Sequence, residues 1–418
     1  MNIGIVGGGA SGMILASKLT KYNVTILERN SKLGKKLLLT GNGKCNFTNL
    51  NFDNLSSIYN NDFAIDIYKR YDNNSFINYF NSIGIVPKVE VHRGISYIYP
   101  NSNKSTSVYY CLLDKIISNK VNVEYNTLVN DIHKDNDSFD VICDNGKEYK
   151  FDKIILSTGG MTYKKTGSDG VGYELAKTFS HNITKLYPGL CSLRYGNNSN
   201  FLNDVKGIRV NARVIFEDFN EFGEIQFNDS SISGIPIMNL SNKICSFFDK
   251  DNDIDIILDF SEVLLKNDID VLNDNYKKTN KDEILTILNN RKRNISYKKA
   301  RDFLCGYLPD ELNHAIIKQI GLDDKNVLEL TKEDLITIID SLVNFKINVK
   351  PHISFDDAQI TIGGVDVNEI DKNTLESKLV KNLYFIGEIL DIDGICGGYN
   401  LQLAYSTASI VADSILND

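Results

Sequence analysis

The sequence predicts an α/β protein that contains a parallel sheet and two inserted segments. Three observations support this prediction. A strand, a glycine-rich turn, a helix and a second strand follow one another in residues 3–28. Short strands separated by Asn, Asp and Gly occupy residues 121–157, and a buried strand returns at 383–386 before a C-terminal helix. Residues 191–345 lie between these parts and change first to alternating and then to helical periodicity.

The first segment carries the spacing Gly7-x-Gly9-x-x-Gly12, which is typical of dinucleotide binding. Gly7 makes the tight turn, Gly9 lets the backbone approach a pyrophosphate at the helix N-terminus, and Gly12 lets the helix pack on the strands. Glu28 ends the second strand, where an acid hydrogen-bonds ribose hydroxyls. A structural turn in an ordinary βαβ unit is the alternative, but it does not explain Glu28. The predicted contact residues of this segment are Gly7, Gly9, Ala10, Ser11, Gly12, Glu28 and Arg29.

Composition limits the classes of function. The chain has 418 residues, a net charge of −8 and seven cysteines. The negative charge argues against general nucleic-acid binding, and the lack of a CxxC pair indicates neither a zinc site nor a redox dithiol. No apolar run is long enough to span a membrane. The strand of the glycine motif begins at about residue 2, so we expect no targeting peptide. We therefore expect a cytoplasmic enzyme with a small-molecule substrate, no metal and an undetermined oligomeric state.

The segment between the two halves is predicted to hold two inserts. Residues 209–228 alternate like antiparallel strands, with a hairpin turn around Glu221-Phe222-Gly223. Residues 261–345 have helical periodicity. One predicted helix there starts near Pro309, ends at Gly321 and shares an apolar face made of Leu312, Ala315, Ile316 and Ile320. The next begins with a capping pattern formed by Thr331 and Asp334.

The C-terminal segment supplies a second glycine-rich turn. Its strand ends in Gly387-Glu388, and a loop with several glycines leads into a helix from about Tyr399. Such a helix N-terminus suits the N1–C2=O edge of a flavin, where negative charge appears on reduction, and the acid suits the ribityl chain. A loop that caps a surface helix is the alternative, but the pairing with the N-terminal motif favours FAD over NAD. The predicted contact residues here are Gly387, Glu388, Asp391, Gly397, Gly398, Tyr399, Asn400 and Leu401.

Four sequence blocks, at 33–49, 157–176, 227–241 and 358–406, contain LGKKLLLTGNGKCNFTN, STGGMTYKKTGSDGVGYELA, FNDSSISGIPIMNLS and LYFIGEILDIDGICGGYNLQLAYS. Together they resemble the BaiN-like, aminoacetone-oxidase-type family of FAD-binding oxidoreductases. The resemblance implies a glutathione-reductase-like, Rossmann-like FAD-binding domain built from both chain ends. The implied boundaries are 1–190 and 350–418 for this domain, 191–260 and 342–349 for the β-rich insert, and 261–341 for the helical insert. The chain departs from the family pattern at Lys44, Val171 and Ile235.

The resemblance implies further roles. Gly41 and Gly43 would let the backbone lie against the cofactor, Asn46 would hydrogen-bond it, Val129 would offer backbone groups to adenine, and Thr158 and Gly159 would end a strand beside the adenosine. Lys35 and Lys36 would face phosphate or form a surface lysine pair, and both interpretations stay open. Cys45 and Tyr399 are weak candidates for catalysis, and an inert buried thiol is the favoured interpretation of Cys45.

The predicted function is hydride or two-electron transfer through flavin N5 by an FAD-dependent oxidoreductase. GSDGVG at 167–172 is not followed by a strand with an acid, so no dedicated NAD(P)H domain is predicted. NAD(P)H would visit the flavin as a transient co-substrate, or the substrate would reduce the flavin. The alternatives are an amine oxidase that uses oxygen and a non-catalytic flavin-binding sensor or assembly protein. A third alternative is an RNA-modifying flavoenzyme. It would need a basic face, which the negative net charge of this chain does not indicate.

Overall fold

The computed structural model describes residues 1–92, 94–196, 201–245, 247, 253–265, 280–350 and 354–417. Its first ten strands are β1 (Asn2–Val6), β2 (Asn23–Leu27), β3 (Thr48–Asn49), β4 (Pro87–His92), β5 (Ile95–Pro100), β6 (Asn122–Glu124), β7 (Val129–Asp135), β8 (Ser138–Cys143), β9 (Glu148–Phe151) and β10 (Lys153–Leu156). The later strands are β11 (Tyr187–Gly189), β12 (Leu193–Tyr195), β13 (Arg209–Phe216), β14 (Phe219–Phe227), β15 (Ser231–Gly234), β16 (Ile254–Asp259), β17 (Phe345–Lys350), β18 (Ile360–Ile362) and β19 (Leu383–Phe385).

The helices alternate with these strands along the chain. The first six are α1 (Ala10–Lys18), α2 (Leu55–Ile58), α3 (Asp62–Arg70), α4 (Asn73–Ser82), α5 (Ser105–Ser118) and α6 (Val171–Thr178). The others are α7 (Phe201–Asp204), α8 (Ile235–Lys243), α9 (Ser261–Leu265), α10 (Lys281–Asn294), α11 (Asp310–Gln319), α12 (Lys332–Val343) and α13 (Tyr399–Leu416).

Five parallel strands form the central sheet in the order β19, β10, β1, β2, β6. Ile5 of β1 lies opposite Ile155 of β10 and Ile26 of β2. All three side chains are fully buried, as expected for a parallel sheet covered on both faces. Because β1 and β19 come from opposite ends of the chain, the sheet joins the two ends. The predicted α/β architecture is therefore confirmed.

Helices α1 and α13 pack against each other beside this sheet, and α1 also contacts α5. Two small antiparallel sheets, β3-β5-β4 and β7-β8-β9, belong to the same part of the chain as the central sheet. The short strands predicted over residues 121–157 start with β6, which ends at Glu124, and β7 begins only at Val129. Asn126 adopts a left-handed conformation with φ 51° and turns the chain between them.

The first insert is a closed antiparallel barrel in the order β12, β15, β14, β13, β16, β17. Strand β12 pairs with both β15 and β17 and so closes it. The hairpin predicted around Glu221-Phe222-Gly223 is wrong. The β13–β14 turn lies at Glu217 and Asp218, between the paired Phe216 and Phe219, and Glu217 has φ 48°. Gly223 is instead a buried β14 residue opposite Ala212.

The helical periodicity predicted for residues 261–345 is confirmed in the described part of this segment, 261–265 and 280–343. Helix α11 begins after Pro309, buries Leu312, Ala315 and Ile316, and is followed by Gly321 at φ 71°. Helix α12 has the predicted capping box. The Thr331 side chain accepts from the Asp334 backbone N–H, and the Asp334 carboxylate accepts from the Thr331 N–H, at 3.1 and 2.8 Å. Two backbone donors at the helix start are thereby satisfied.

The chain forms two compact units, Met1–Gly189 with Phe355–Asp418, and Leu190–Ser354. In the second unit, barrel and helices share one core that includes Ile256 of β16 and Ile338 of α12. The division of this unit into β-rich and helical domains stays a prediction. Within the described ranges, no helix is both long and apolar enough to cross a bilayer. Residues 351–353, near the start of the predicted FAD-domain segment 350–418, lie outside the described residues.

Candidate flavin site

The turn between β1 and α1 places three glycines under different constraints. Gly7 has φ 99°, and a Cβ there would lie 2.7 Å from the Ser157 carbonyl oxygen. A Cβ at Gly12 would lie 2.2 Å from the Gly7 carbonyl oxygen. A Cβ at Gly9 would meet nothing among the described residues closer than 4.0 Å. Packing therefore requires glycine at positions 7 and 12, whereas position 9 borders open space at the N-terminus of α1.

Glu28 is buried at the end of β2, beside this turn. One carboxylate oxygen accepts the Gly8 N–H at 2.8 Å, and the other accepts the Asn30 N–H at 2.8 Å and the Asn30 side-chain amide at 2.6 Å. The Thr127 N–H donates to the Glu28 carbonyl at 2.9 Å, which brings the segment before Val129 to the same strand end. These bonds fix the carboxylate while leaving it acceptor capacity for further donors.

The basic residues after β2 contact protein acceptors. Arg29 forms an ion pair of 2.5 Å with Asp169, in the loop before α6. Lys35 donates to the Asn30 side-chain oxygen at 2.7 Å and so supports the group that holds Glu28. Arg29 and Lys35 therefore order the loops around this strand end.

Lys36 and Glu388 are 352 positions apart in sequence and form an ion pair of 2.7 Å. The Lys36 ammonium also donates to the Thr162 hydroxyl at 2.7 Å, and the Thr361 backbone N–H donates to Glu388 at 2.9 Å. About a quarter of each charged side chain is exposed, at 24% and 23%. The structure thus brings together two predicted cofactor residues from opposite chain ends, in a position where each can still reach a ligand.

The loop at 40–46 has an unusual backbone. Gly41, Asn42 and Gly43 follow one another at φ 55°, 54° and 81°, and Cys45 has φ 61°. Left-handed conformations of non-glycine residues concentrate where the surrounding structure enforces them, often at functional sites. The Oδ1 atom of Asn46 is buried and has no hydrogen-bond partner among the described residues.

The N-terminus of α13 lies against this loop. Gly398 has φ 90°, and a Cβ there would lie 3.0 Å from both the Asn46 Oδ1 atom and Thr48. The Asn49 side chain donates to the Gly397 carbonyl at 3.2 Å. The Asn400 side chain accepts the Gly394 N–H at 2.9 Å and donates to the Gly394 carbonyl at 2.8 Å. Side-chain amides from both ends of the chain therefore hold the loop that precedes α13.

The two weak catalytic candidates are both buried. Cys45 is fully buried, and burial raises the pKa of its thiol to about 12, against a smaller lowering by the Thr40 hydroxyl. The Tyr399 hydroxyl donates to the Asn51 carbonyl at 2.9 Å. Cys45 is therefore a protonated thiol at neutral pH, and Tyr399 has a structural partner.

The other predicted residues lie at strand ends or beside α13. Gly387, after β19, has φ 75°, and a Cβ there would lie 2.6 Å from the Ser11 hydroxyl of α1. The Asp391 carbonyl accepts the Asn61 amide at 2.8 Å, and burial raises the pKa of the Asp391 carboxyl. The remaining positions are the partly buried Ala10 and Leu401 in first helical turns, Val129 at the start of β7, and Thr158 and Gly159 after β10.

These residues fit FAD by two observations. The open position at Gly9 adjoins the fixed Glu28 carboxylate, which is the arrangement that a pyrophosphate and an adjacent ribose require. Two buried polar atoms, Oδ1 of Asn46 and Oγ1 of Thr158, have no partner in the described part of the chain. Since buried polar atoms are nearly always paired, both are suited to a polar ligand.

The sequence did not identify the residues that position the site. Asn30 holds Glu28, Asn49 holds Gly397, and Thr361 holds Glu388. Gln402 is fully buried and accepts from the Thr48 hydroxyl at 2.6 Å. The sequence weakly indicated two of these residues, because Asn49 and Gln402 end the distinctive NFTN and GGYNLQ segments.

The sequence profile named HI0933-like protein Rossmann domain matches residues 1–414. The chain belongs to this family. It comprises the BaiN-like FAD-dependent oxidoreductases, so the predicted resemblance is confirmed. The protein is accordingly a flavoprotein oxidoreductase with a Rossmann fold.

Two curated relatives and one solved structure match nearly the whole chain. The 3-dehydro-bile acid delta(4,6)-reductase of Clostridium scindens is 30% identical, over 97% of this chain and 96% of its own. The ribosomal RNA dihydrouridine synthase of Haemophilus influenzae is 26% identical, over 98% and 97%. A structure of 3-ketosteroid delta1-dehydrogenase from Sterolibacterium denitrificans is 11% identical, with a TM-score of 0.49 over 99% of each chain.

Proposed function

We propose that this protein reduces a carbon–carbon double bond conjugated to a carbonyl group in a small organic molecule, with FAD as cofactor and NAD(P)H as the electron source. The observation that best supports an FAD site is the fixed Glu28 carboxylate beside the open Gly9 position. FAD, when bound, supplies a hydride acceptor and donor at its N5 atom. NAD(P)H delivers the two electrons, and the double bond gains a hydride at one carbon and a proton at the other.

The choice of substrate class rests on the names of two relatives. One name specifies reduction at the 4,6 double bonds of a 3-dehydro-bile acid. The other specifies formation of dihydrouridine, a uridine whose ring double bond next to a carbonyl is saturated. Both reactions add hydrogen across a conjugated double bond. We infer the same reaction type for this chain, since both relatives match nearly its full length.

Residues of this chain would hold the cofactor by its two ends. Gly9 and Glu28 would bind the pyrophosphate and the adenosine ribose, with Val129, Thr158 and Gly159 along the adenosine. Lys36 and Glu388 would orient the ribityl chain. The backbone N–H groups at the N-terminus of α13, from Gly398 onwards, would favour negative charge on the flavin ring.

A ribosomal RNA substrate is the second candidate, favoured by the match to the dihydrouridine synthase. RNA binding depends on neutralising phosphates with clustered Lys and Arg side chains. The net charge of −8 works against such binding. We therefore propose a small, unphosphorylated substrate.

The test is anaerobic mixing of the purified protein with NADH or NADPH while flavin absorbance is followed. Bleaching should occur, and a conjugated enone should then restore the oxidised flavin, whereas an isomer with an isolated double bond should not. Cofactor released from the protein should chromatograph as FAD. Reoxidation by oxygen after reduction by an amine would instead establish an oxidase. Dihydrouridine formation in a ribosomal RNA transcript, without enone reduction, would establish the RNA candidate.

A further inference from the structure

Three potential metal ligands meet in the second compact unit, within the helical part of the insert. One ligand atom from each of Asp302, Cys305 and His314 lies within 4.8 Å of the other two. Nε2 of His314 and the Asp302 carboxylate are 2.9 Å apart. All three residues are partly buried, so the group is neither deep in the core nor on an open surface.

The three ligands come from two neighbouring elements. Asp302 and Cys305 are three positions apart, in the turn that precedes α11. His314 lies near the start of α11, which begins at Asp310. The cluster thus combines two residues of a turn with one residue of the helix that follows it.

The turn that carries Cys305 is held by residues outside the cluster. Asn313 is fully buried, accepts the Leu304 N–H at 3.0 Å, and donates to the Arg301 carbonyl at 2.6 Å and the Cys305 sulfur at 3.1 Å. Arg291 donates to the backbone carbonyl of Cys305. Such supporting contacts orient ligands before a metal binds.

We propose that Asp302, Cys305 and His314 form a zinc site that stabilises the insert. A cysteine sulfur, a histidine nitrogen and carboxylate oxygens are the donors that zinc accepts in tetrahedral sites. The thiolate and imidazole favour zinc over magnesium or calcium, which take oxygen ligands. The three protein ligands would leave one tetrahedral position to a solvent molecule.

Charge and proton balance are consistent with this assignment. The Asp302 carboxylate and the Cys305 thiolate together balance the charge of Zn²⁺, and the Arg301 side chain lies 3.6 Å from the Asp302 carboxylate. Binding forms a zinc–sulfur bond and releases the thiol proton to solvent. The hydrogen bond between His314 and Asp302 is replaced by two bonds to the metal.

The test is a titration of the full-length flavoprotein, after chelator treatment, with Co²⁺ under anaerobic conditions. Difference spectra against the metal-free flavoprotein should show one equivalent of tetrahedral cobalt with a thiolate charge-transfer band, and Zn²⁺ should abolish the band by displacement. Zn²⁺ should also raise the thermal midpoint of the insert. Cys305→Ser should remove the band, and His314→Gln should weaken binding by at least about 100-fold.

His133→Gln is the matched control, because His133 and Asp131 form an exposed pair 3.1 Å apart that lies in the other compact unit. This variant should bind cobalt like the wild type. Asp302→Asn provides a milder second variant, with an expected loss of about tenfold or more while FAD content is retained. Absence of stoichiometric binding by the wild type, or an unchanged thiolate band in Cys305→Ser, would overturn the proposal.

Discussion

The two glycine-rich turns of the flavin unit both require glycine, but their glycines pack against different parts of the chain. At the N-terminus of α1, the side chains missing from Gly7 and Gly12 would collide with backbone carbonyl oxygens 2.7 and 2.2 Å away. At the N-terminus of α13, a side chain at Gly398 would meet Asn46 and Thr48, which come from a loop about 350 positions earlier. In the first turn, Gly12 packs on the backbone of the turn itself, at Gly7, whereas Gly7 packs on the distant Ser157. In the second turn, both neighbours of Gly398 come from distant parts of the chain.

This difference between the two turns explains which parts of the flavin site could be predicted from the sequence. Gly12 packs against the Gly7 carbonyl within the same turn, so part of the spacing Gly7-x-Gly9-x-x-Gly12 is fixed locally and can be recognised in a sequence. A turn held by remote amides has no such spacing. Asn49 and Gly397 are 348 positions apart, and nothing local connects them. The C-terminal turn was therefore interpretable only through its pairing with the first and through the family resemblance.

The largest expected effect is that of Gly12→Ala. The added methyl group would overlap the Gly7 carbonyl oxygen, and such overpacking should reduce the free energy of unfolding by about 3 kcal/mol. Gly9→Ala is the matched variant, because Gly9 has an extended backbone and its Cβ would have no neighbour closer than 4.0 Å. We expect Gly9→Ala to keep its stability within about 1 kcal/mol and yet to bind FAD more weakly.

Urea unfolding of the apoproteins and FAD titration together check this pair. Equal stability of the two variants would contradict the packing argument. Unchanged FAD affinity in Gly9→Ala would show that the pyrophosphate does not approach this turn.

The next effect concerns Glu28. A glutamine at this position has one acceptor oxygen and cannot satisfy the N–H groups of Gly8 and Asn30 as well as a ribose hydroxyl. Glu28→Gln should weaken FAD binding by about 2 kcal/mol, the usual effect of a buried donor left without a partner. Isothermal titration of the apoprotein with FAD measures this change.

Glu124→Gln is the control for charge alone. Glu124 ends the neighbouring strand β6 and pairs with Lys147 at the surface. Its FAD affinity should equal that of the wild type. If both variants lose affinity equally, the effect is one of general charge, and Glu28 has no specific contact.

In the inserts, too, local contacts could be predicted from the sequence, whereas contacts between distant residues could not. The caps of α12 were predictable because Thr331 and Asp334 contact each other across three positions. The β13–β14 turn was not, because the sequence offered Gly223 as a natural turn residue. The barrel instead buries Gly223 opposite Ala212 and places the non-glycine Glu217 in the left-handed region. Pairing within a closed barrel determines the register there, and that pairing is not local.

A smaller effect is expected at the second turn, for Gly398→Ala. A left-handed backbone alone disfavours alanine by about 1–2 kcal/mol, and contacts of 3.0 Å with Asn46 and Thr48 add to it. Gly146→Ala isolates the backbone term, since Gly146 has φ 78°, no described atom within 4 Å of its Cβ, and no place in the predicted flavin site. The displaced helix N-terminus in Gly398→Ala should stabilise the reduced flavin less and lower its midpoint potential.

A spectroscopic redox titration of the two variants distinguishes these contributions. Gly146→Ala should lose stability while its flavin potential stays close to that of the wild type. An unchanged potential in Gly398→Ala, with full flavin occupancy, would mean that the flavin ring does not lie at this helix.

The smallest effect on turnover is expected for Cys45→Ala, although Cys45 lies in the loop between the two turns. Burial raises its thiol pKa to about 12, so the thiolate is absent at neutral pH and turnover between pH 6 and 8 should match the wild type. In the unfolded chain the thiol titrates near 8.5. The folded state therefore retains a proton that the unfolded state loses, so this residue's contribution to stability is complete below about pH 8.5 and is lost as the pH rises towards 12. Unfolding measured from pH 7 to 10 should consequently show a steeper loss of stability in the wild type than in Cys45→Ala, whereas a turnover defect confined to the variant would assign the thiol a chemical role.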